Sequence, residues 1–103
     1  MVFIELHPFT RDLRDFLNDD NYSSVQGFLM GQPERGTIIP GSGGLRKLRW
    51  RMPGHGKRGG LRIVYYWAVA EHIIYLLAIY AKSDKEDMTR AELSLLKRII
   101  EDE

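Results

Sequence analysis

The chain has 103 residues, with 15 Lys or Arg against 14 Asp or Glu, and no cysteine. That length leaves room for one hydrophobic core, so a single domain over residues 1–103 is expected. The missing cysteine excludes disulfides, thiolate nucleophiles and zinc–thiolate centres, and a hydrophobic content of 44% argues against disorder.

Taken in chain order, residues 2–6 are short, apolar and β-rich, a first strand ended by Pro8. Glu5 and the lack of a basic start argue against a secretory leader. Thr10 is a candidate cap for a helix that places Leu13, Phe16 and Leu17 on one side. Residues 18–21 read as a polar turn. Tyr22, Val25, Phe28 and Leu29 recur at helical spacing, giving a second helix that Gly31 and Pro33 stop. Two short helices around a polar turn suggest a helical hairpin laid on one face of a sheet. Residues 37–44 hold too much Gly and Pro for a central strand and read as an approach loop.

Residues 45–52 alternate: Arg46, Leu48 and Trp50 share one face, and Lys47, Arg49 and Arg51 the other. In residues 61–68, Ile63, Tyr65 and Trp67 oppose Arg62, Val64 and Tyr66; the first three, with Trp50, are assigned to the core. After a turn at Glu71 and His72, Ile73–Ala81 is near-continuously apolar, a central strand too short to cross a bilayer. Thr89 and Glu92 fit a capping box that opens a last helix with Leu93, Leu96, Ile99 and Ile100 apolar. The order β-α-α-β-β-β-α predicts an α+β fold, a mostly antiparallel sheet with helices packed on it. A cytoplasmic location without membrane contact is expected.

Net charge is only +1, yet no Asp or Glu occurs between Arg35 and Ala70. Arg46, Lys47, Arg49, Arg51, Lys57, Arg58 and Arg62 fall in that interval, so positive charge is segregated as a polyanion-binding surface requires. If the two basic strands pair as antiparallel neighbours, Lys47, Arg49 and Arg62 project from the same face. Clustered cations depress one another's pKa, and a lysine is the one that can yield its proton near neutrality. It can then act as general base toward a ribose 2′-hydroxyl while an arginine stabilises phosphate charge in the transition state. Tyr66 and Tyr80 are candidates for base stacking or proton donation. The plainer reading of the same strands is the solvated face of an amphipathic sheet, or nonspecific binding of an anionic partner.

Other signals are weaker. The glycine-rich loop at residues 54–60 lacks phosphate-loop spacing, and no Ser or Thr follows Lys57; it reads as a hairpin tip with Lys57 and Arg58 available to backbone phosphates. His7, His55 and His72 show no metal-ligand spacing, so no metal or cofactor is expected; only His55, within the basic loop, is a candidate for proton transfer.

The stretches Gly-Gly-Leu-Arg-Lys-Leu-Arg at 43–49, Gly-Lys-Arg-Gly-Gly-Leu-Arg-Ile-Val-Tyr-Tyr at 56–66 and Tyr-Leu-Leu-Ala-Ile-Tyr-Ala-Lys-Ser-Asp at 75–84 together resemble the HigB-like branch of the RelE/ParE toxin superfamily. The resemblance implies a toxin of a type II toxin–antitoxin system, a ribosome-dependent endoribonuclease (mRNA interferase) that cuts mRNA in the ribosomal A site and inhibits translation. It implies as catalytic set Lys47 and Arg49, Arg62 at the scissile phosphate, and Lys82 after the last long strand. Ser83 and Thr89 stand where that pattern places an arginine and a tyrosine, which leaves Tyr80 or His55 for the tyrosine's work. Implied partners are the ribosome with its rRNA and mRNA, and a HigA-like helix-turn-helix antitoxin, through which alone operator DNA would be bound. Two alternatives stay open: a non-enzymatic ParE-like inhibitor of DNA gyrase, and an inactive homologue.

Overall fold

The structure, a computed structural model, describes residues 1–51 and 60–102. His55, Lys57 and Arg58 lie outside the described residues. One five-stranded sheet runs in the order β1-β5-β4-β3-β2, built from β1 (Val2–Glu5), β2 (Thr37–Ile38), β3 (Arg46–Arg51), β4 (Gly60–Ala68) and β5 (Ile73–Ala81). The first strand is parallel to β5; every other pair is antiparallel. Three helices complete the α+β fold: α1 (His7–Phe16), α2 (Asp19–Gly31) and α3 (Arg90–Glu101). The approach loop contributes a two-residue edge strand, one more strand than the sequence pattern indicates; Pro40 and the glycines behind it keep the pairing that short.

Apolar side chains divide between the two faces of the sheet. Phe9 and Leu13 of α1 and Val25 and Leu29 of α2 pack with Leu48, Ile63, Tyr65, Ile74 and Ile79 on one face. Leu93 and Leu96 of α3 pack with Leu45, Val64, Leu77 and Tyr80 on the other. The helical hairpin thus covers one side and the last helix the opposite side, which fits a β5 that carries no charged residue. Within β5 the register skips a residue: Val64 is paired with Ala78 but Tyr65 with Leu76. This bulge leaves Leu77 without a partner and reverses the alternation, so Ile74 and Leu76 face the helical hairpin while Tyr80, of the same parity, faces α3.

Helix starts differ from those the sequence pattern indicates. Pro8 does not close off the strand region; it lies in the first turn of α1, where the missing N–H is harmless, and Leu6 occupies the N-cap without a side-chain bond. Thr10 is inside that helix, its hydroxyl donating to Glu5 Oε1 at 2.7 Å. Residues 19–21 belong to α2, with Asn18 Oδ1 accepting from the Asn21 N–H at 2.8 Å as the N-cap. At α3 the capping box forms as read: Thr89 Oγ1 accepts from Glu92 N at 3.1 Å, and Glu92 Oε1 accepts from Thr89 N at 2.7 Å.

The loop entering β2 is pinned by a core phenol. The Tyr65 hydroxyl donates to the Pro33 carbonyl at 2.6 Å and accepts from the Gly36 N–H at 2.8 Å. A Cβ on Gly36 would lie 2.7 Å from the Tyr65 ring, so only glycine fits. Gly36→Ala is therefore expected to destabilise the fold by about 1–3 kcal/mol, the usual range for overpacking. Chemical denaturation checks this, and an unchanged midpoint would mean that the loop relaxes freely.

Candidate functional site

The register of the three long strands decides which basic residues meet. Arg49 of β3 is directly opposite Arg62 of β4, and Arg62 is directly opposite Tyr80 of β5. Directly paired residues project from the same face, so these three side chains form a row across the sheet. Lys47 leads the next row, with Val64 and Ala78. Both rows lie on the α3 side, at the end of the sheet that the last helix leaves uncovered.

A cleft of about 260 Å³ opens there. It is lined by Thr37 and Ile38 of β2, Lys47 and Arg49 of β3, Tyr80 of β5, and Asp87 and Met88 just ahead of α3. Arg49 is exposed at this cleft, whereas Arg62 is 7% exposed. The Arg62 guanidinium lies behind the lining, with Nη1 3.4 Å from the Leu61 carbonyl oxygen and 3.4 Å from where a Cβ on Gly60 would be. None of the ion pairs among the described residues includes it. A nearly buried guanidinium without a carboxylate is costly unless an anion from outside supplies the missing charge.

Lys47 is held differently. Its ammonium, on a side chain 18% exposed, donates to Asp87 Oδ1 at 2.5 Å. The hydrogen bond from Lys47, that ammonium's charge, and the guanidiniums of Arg49 and Arg62 keep the Asp87 carboxyl below the usual carboxylate range. Burial pushes the Tyr80 phenol up, the Asp87 carboxylate adds to this, and the Arg62 charge opposes it. Tyr80 is thus a protonated donor at neutral pH. On its other side, Lys85 Nζ lies 5.2 Å from the Tyr80 ring centre and is bonded to Glu92 at 2.8 Å.

The remaining candidates are not gathered here. Arg46 faces the helical hairpin, as its parity requires, and its Nη1 donates to the carbonyls of Glu34 at 2.9 Å and Gly36 at 2.8 Å. It secures the loop before β2 and is not part of the cationic face. Tyr66 lies under the C-terminal half of α3, with the Lys97 ammonium 4.5 Å from its ring centre and Tyr75 beside it, so it too is separate from the cleft. Arg51 is exposed at the end of β3, on the face of Lys47 and Arg49. Lys82 is exposed just beyond β5, its N–H bonded to the Gly60 carbonyl at 3.0 Å, and does not line the cleft. Among the described residues no cluster of His, Asp and Glu has the arrangement of a metal site, and no helix is long and apolar enough to cross a membrane.

Asp87 and Lys85 are the residues of this site that sequence reasoning missed. An acidic residue in the connection before the last helix carries no local signal, because its partner Lys47 is 40 positions away.

Comparison with known proteins adds two findings. Residues 34–102 match the family described as the RelE toxin of the RelE/RelB toxin–antitoxin system. The fold is similar to that of E. coli toxin RelE, solved in the free state as a double arginine-to-alanine mutant, with a TM-score of 0.61. The alignment covers 95% of this chain and 96% of that one at 14% identity, a likeness of fold.

Proposed function

Since the chain belongs to the RelE toxin family, the toxin side of a toxin–antitoxin pair, we propose that it arrests translation as a ribosome-dependent mRNA endonuclease acting in the A site. The observation that carries this reading is the Arg49–Arg62–Tyr80 row beside Lys47: two cations and a protonated phenol line the cleft, with the Arg62 guanidinium behind them. A phosphodiester placed there would give Arg62 the negative charge that no ion pair among the described residues supplies.

The reaction needs no protein nucleophile. A base removes the proton of the ribose 2′-hydroxyl, the 2′-oxygen attacks the adjacent phosphorus, and the bond to the 5′-oxygen breaks. The leaving oxygen takes up a proton, so the products are a 2′,3′-cyclic phosphate and a 5′-hydroxyl. Arg49 and Arg62 stabilise the added charge on the phosphorane-like transition state. Tyr80 serves as proton donor to the 5′-oxygen. The base is the neutral amine of Lys82, or of Lys47 once it has released Asp87 and given a proton to solvent, because an ammonium has no lone pair with which to accept one. Arg51, with Lys57 and Arg58, contributes to docking on ribosomal RNA. The antitoxin, of the HigA-like helix-turn-helix kind, neutralises the toxin and carries any operator binding.

A message with a 2′-methoxy group at the cut site tests this directly. Stalled ribosomes carrying it are expected to retain intact message, while the unmodified message is cut and ends in a cyclic phosphate. Cutting of the modified site would overturn the mechanism. DNA damage with intact messages on induction would point instead to gyrase inhibition.

A further inference from the structure

We propose that Asp87 is a built-in substitute for the RNA phosphate: in the free protein its carboxylate occupies the cationic cleft through Lys47, and substrate must displace it before Lys47 can work. This rests on the reading of the cleft as a phosphodiester site and deepens it. Three observations support the assignment. The carboxylate oxygen is 2.5 Å from Lys47 Nζ, the position a nonbridging phosphate oxygen would take. Asp87 also lines the cleft with Arg49 and Tyr80, and its carboxyl lies within the field of both arginines. Finally, Asp87 is anchored on one side only: its carboxylate is 65% exposed, and its bond to Lys47 is the one side-chain hydrogen bond it makes among the described residues.

The charged neighbours fit a replaceable occupant. From β3 the cleft receives Lys47 and Arg49, and from β4 Arg62 lies behind them. Glu86 and Asp84 on the same connection are exposed, and Lys85 is directed away toward Glu92. Asp87 is thus the one carboxylate among the described residues paired with a cleft cation. A half-exposed ion pair of this kind is weak. A phosphodiester that engages two arginines as well as the lysine can therefore exchange with it. An RNA carrying several phosphates would pull Asp87 aside together with the short connection into α3.

The test uses the isolated chain and a 2′-methoxy trinucleotide, which it cannot cut, titrated by calorimetry or NMR. Asp87→Asn keeps the size and removes the charge. The variant is expected to bind the trinucleotide roughly two- to fivefold tighter than the parent, the order of effect of removing one weak competing ion pair. The Lys47 Nζ signal should report loss of its partner in the unliganded variant. Asp87→Ser, which cannot accept a full charge either, should behave alike, and both should unfold at the parent's temperature because Asp87 is exposed. Equal or weaker binding by both variants would overturn the proposal and make Asp87 a positioning residue for Lys47 instead. The outcome does not depend on cleavage: tighter binding together with intact ribosomal messages would keep the displaced-carboxylate device and discard the nuclease.

Discussion

Replacing Arg62 with alanine is expected to slow cleavage of ribosome-bound message about 100- to 1,000-fold, the loss typical of removing one charge-stabilising donor from a transition state. The residue is 7% exposed, so in the proposed mechanism its guanidinium would meet the phosphate in a dry setting, where one charge acts more strongly than it would in water. Substitution should cost little stability. No ion pair among the described residues would be left half-broken, and relief of the desolvated charge offsets the packing that the shortened side chain loses. A primer-extension assay on programmed ribosomes, with thermal unfolding alongside, checks both halves. Retained cleavage with an intact fold would remove Arg62 from the site. Lysine should restore only part of the rate, since it lacks the planar fork that engages two phosphate oxygens.

Charge reversal at Arg49 should be more damaging still. In the sheet its Cα is about 4.5–5.5 Å from that of Arg62, the spacing of directly opposed residues. A glutamate there would both remove a cation and pair internally with Arg62, cancelling two positive charges with one substitution. Cleavage by Arg49→Glu is expected to fall at least roughly 1,000-fold, more than Arg49→Gln loses, because glutamine deletes one charge without capturing the other. Measured on the same ribosomes, the gap between glutamine and glutamate reports how closely the two arginines cooperate. Equal losses in the two variants would mean that they act independently.

Local sequence patterns carried the parts of this molecule that depend on near neighbours. Thr89 and Glu92 announce their capping box because both partners lie within four residues. The alternation of Lys47 and Arg49 against Leu48 places the cationic face because a strand has a period of two. Patterns failed where a distant partner decides. Thr37 and Ile38 are a strand only because β3 offers an open edge. Pro8 starts a helix because Leu6 is anchored under α3 and bonded to Leu76, which turns the chain at that point. Tyr66 has the parity of Arg62, which groups the two in sequence, yet Tyr66 packs against α3 with the Lys97 ammonium over its ring. Arg46 was grouped with the basic cluster by charge, although its parity already placed it with Leu48 and Trp50 on the opposite face.

The unpaired Leu77 acts as a reading-frame marker for side chains. Upstream of it, even-numbered positions of β5 belong to the helical hairpin; downstream, they belong to the cleft. Removing that single residue would make the Val64–Ala78 and Tyr65–Leu76 pairs consecutive and leave Ile79 in the hydrocarbon interior and Tyr80 at the cleft. Two relatives that differ by one residue at this point can therefore present the same chemistry beyond it, whereas counting odd and even positions straight through the bulge would assign substitutions to the wrong side of the sheet.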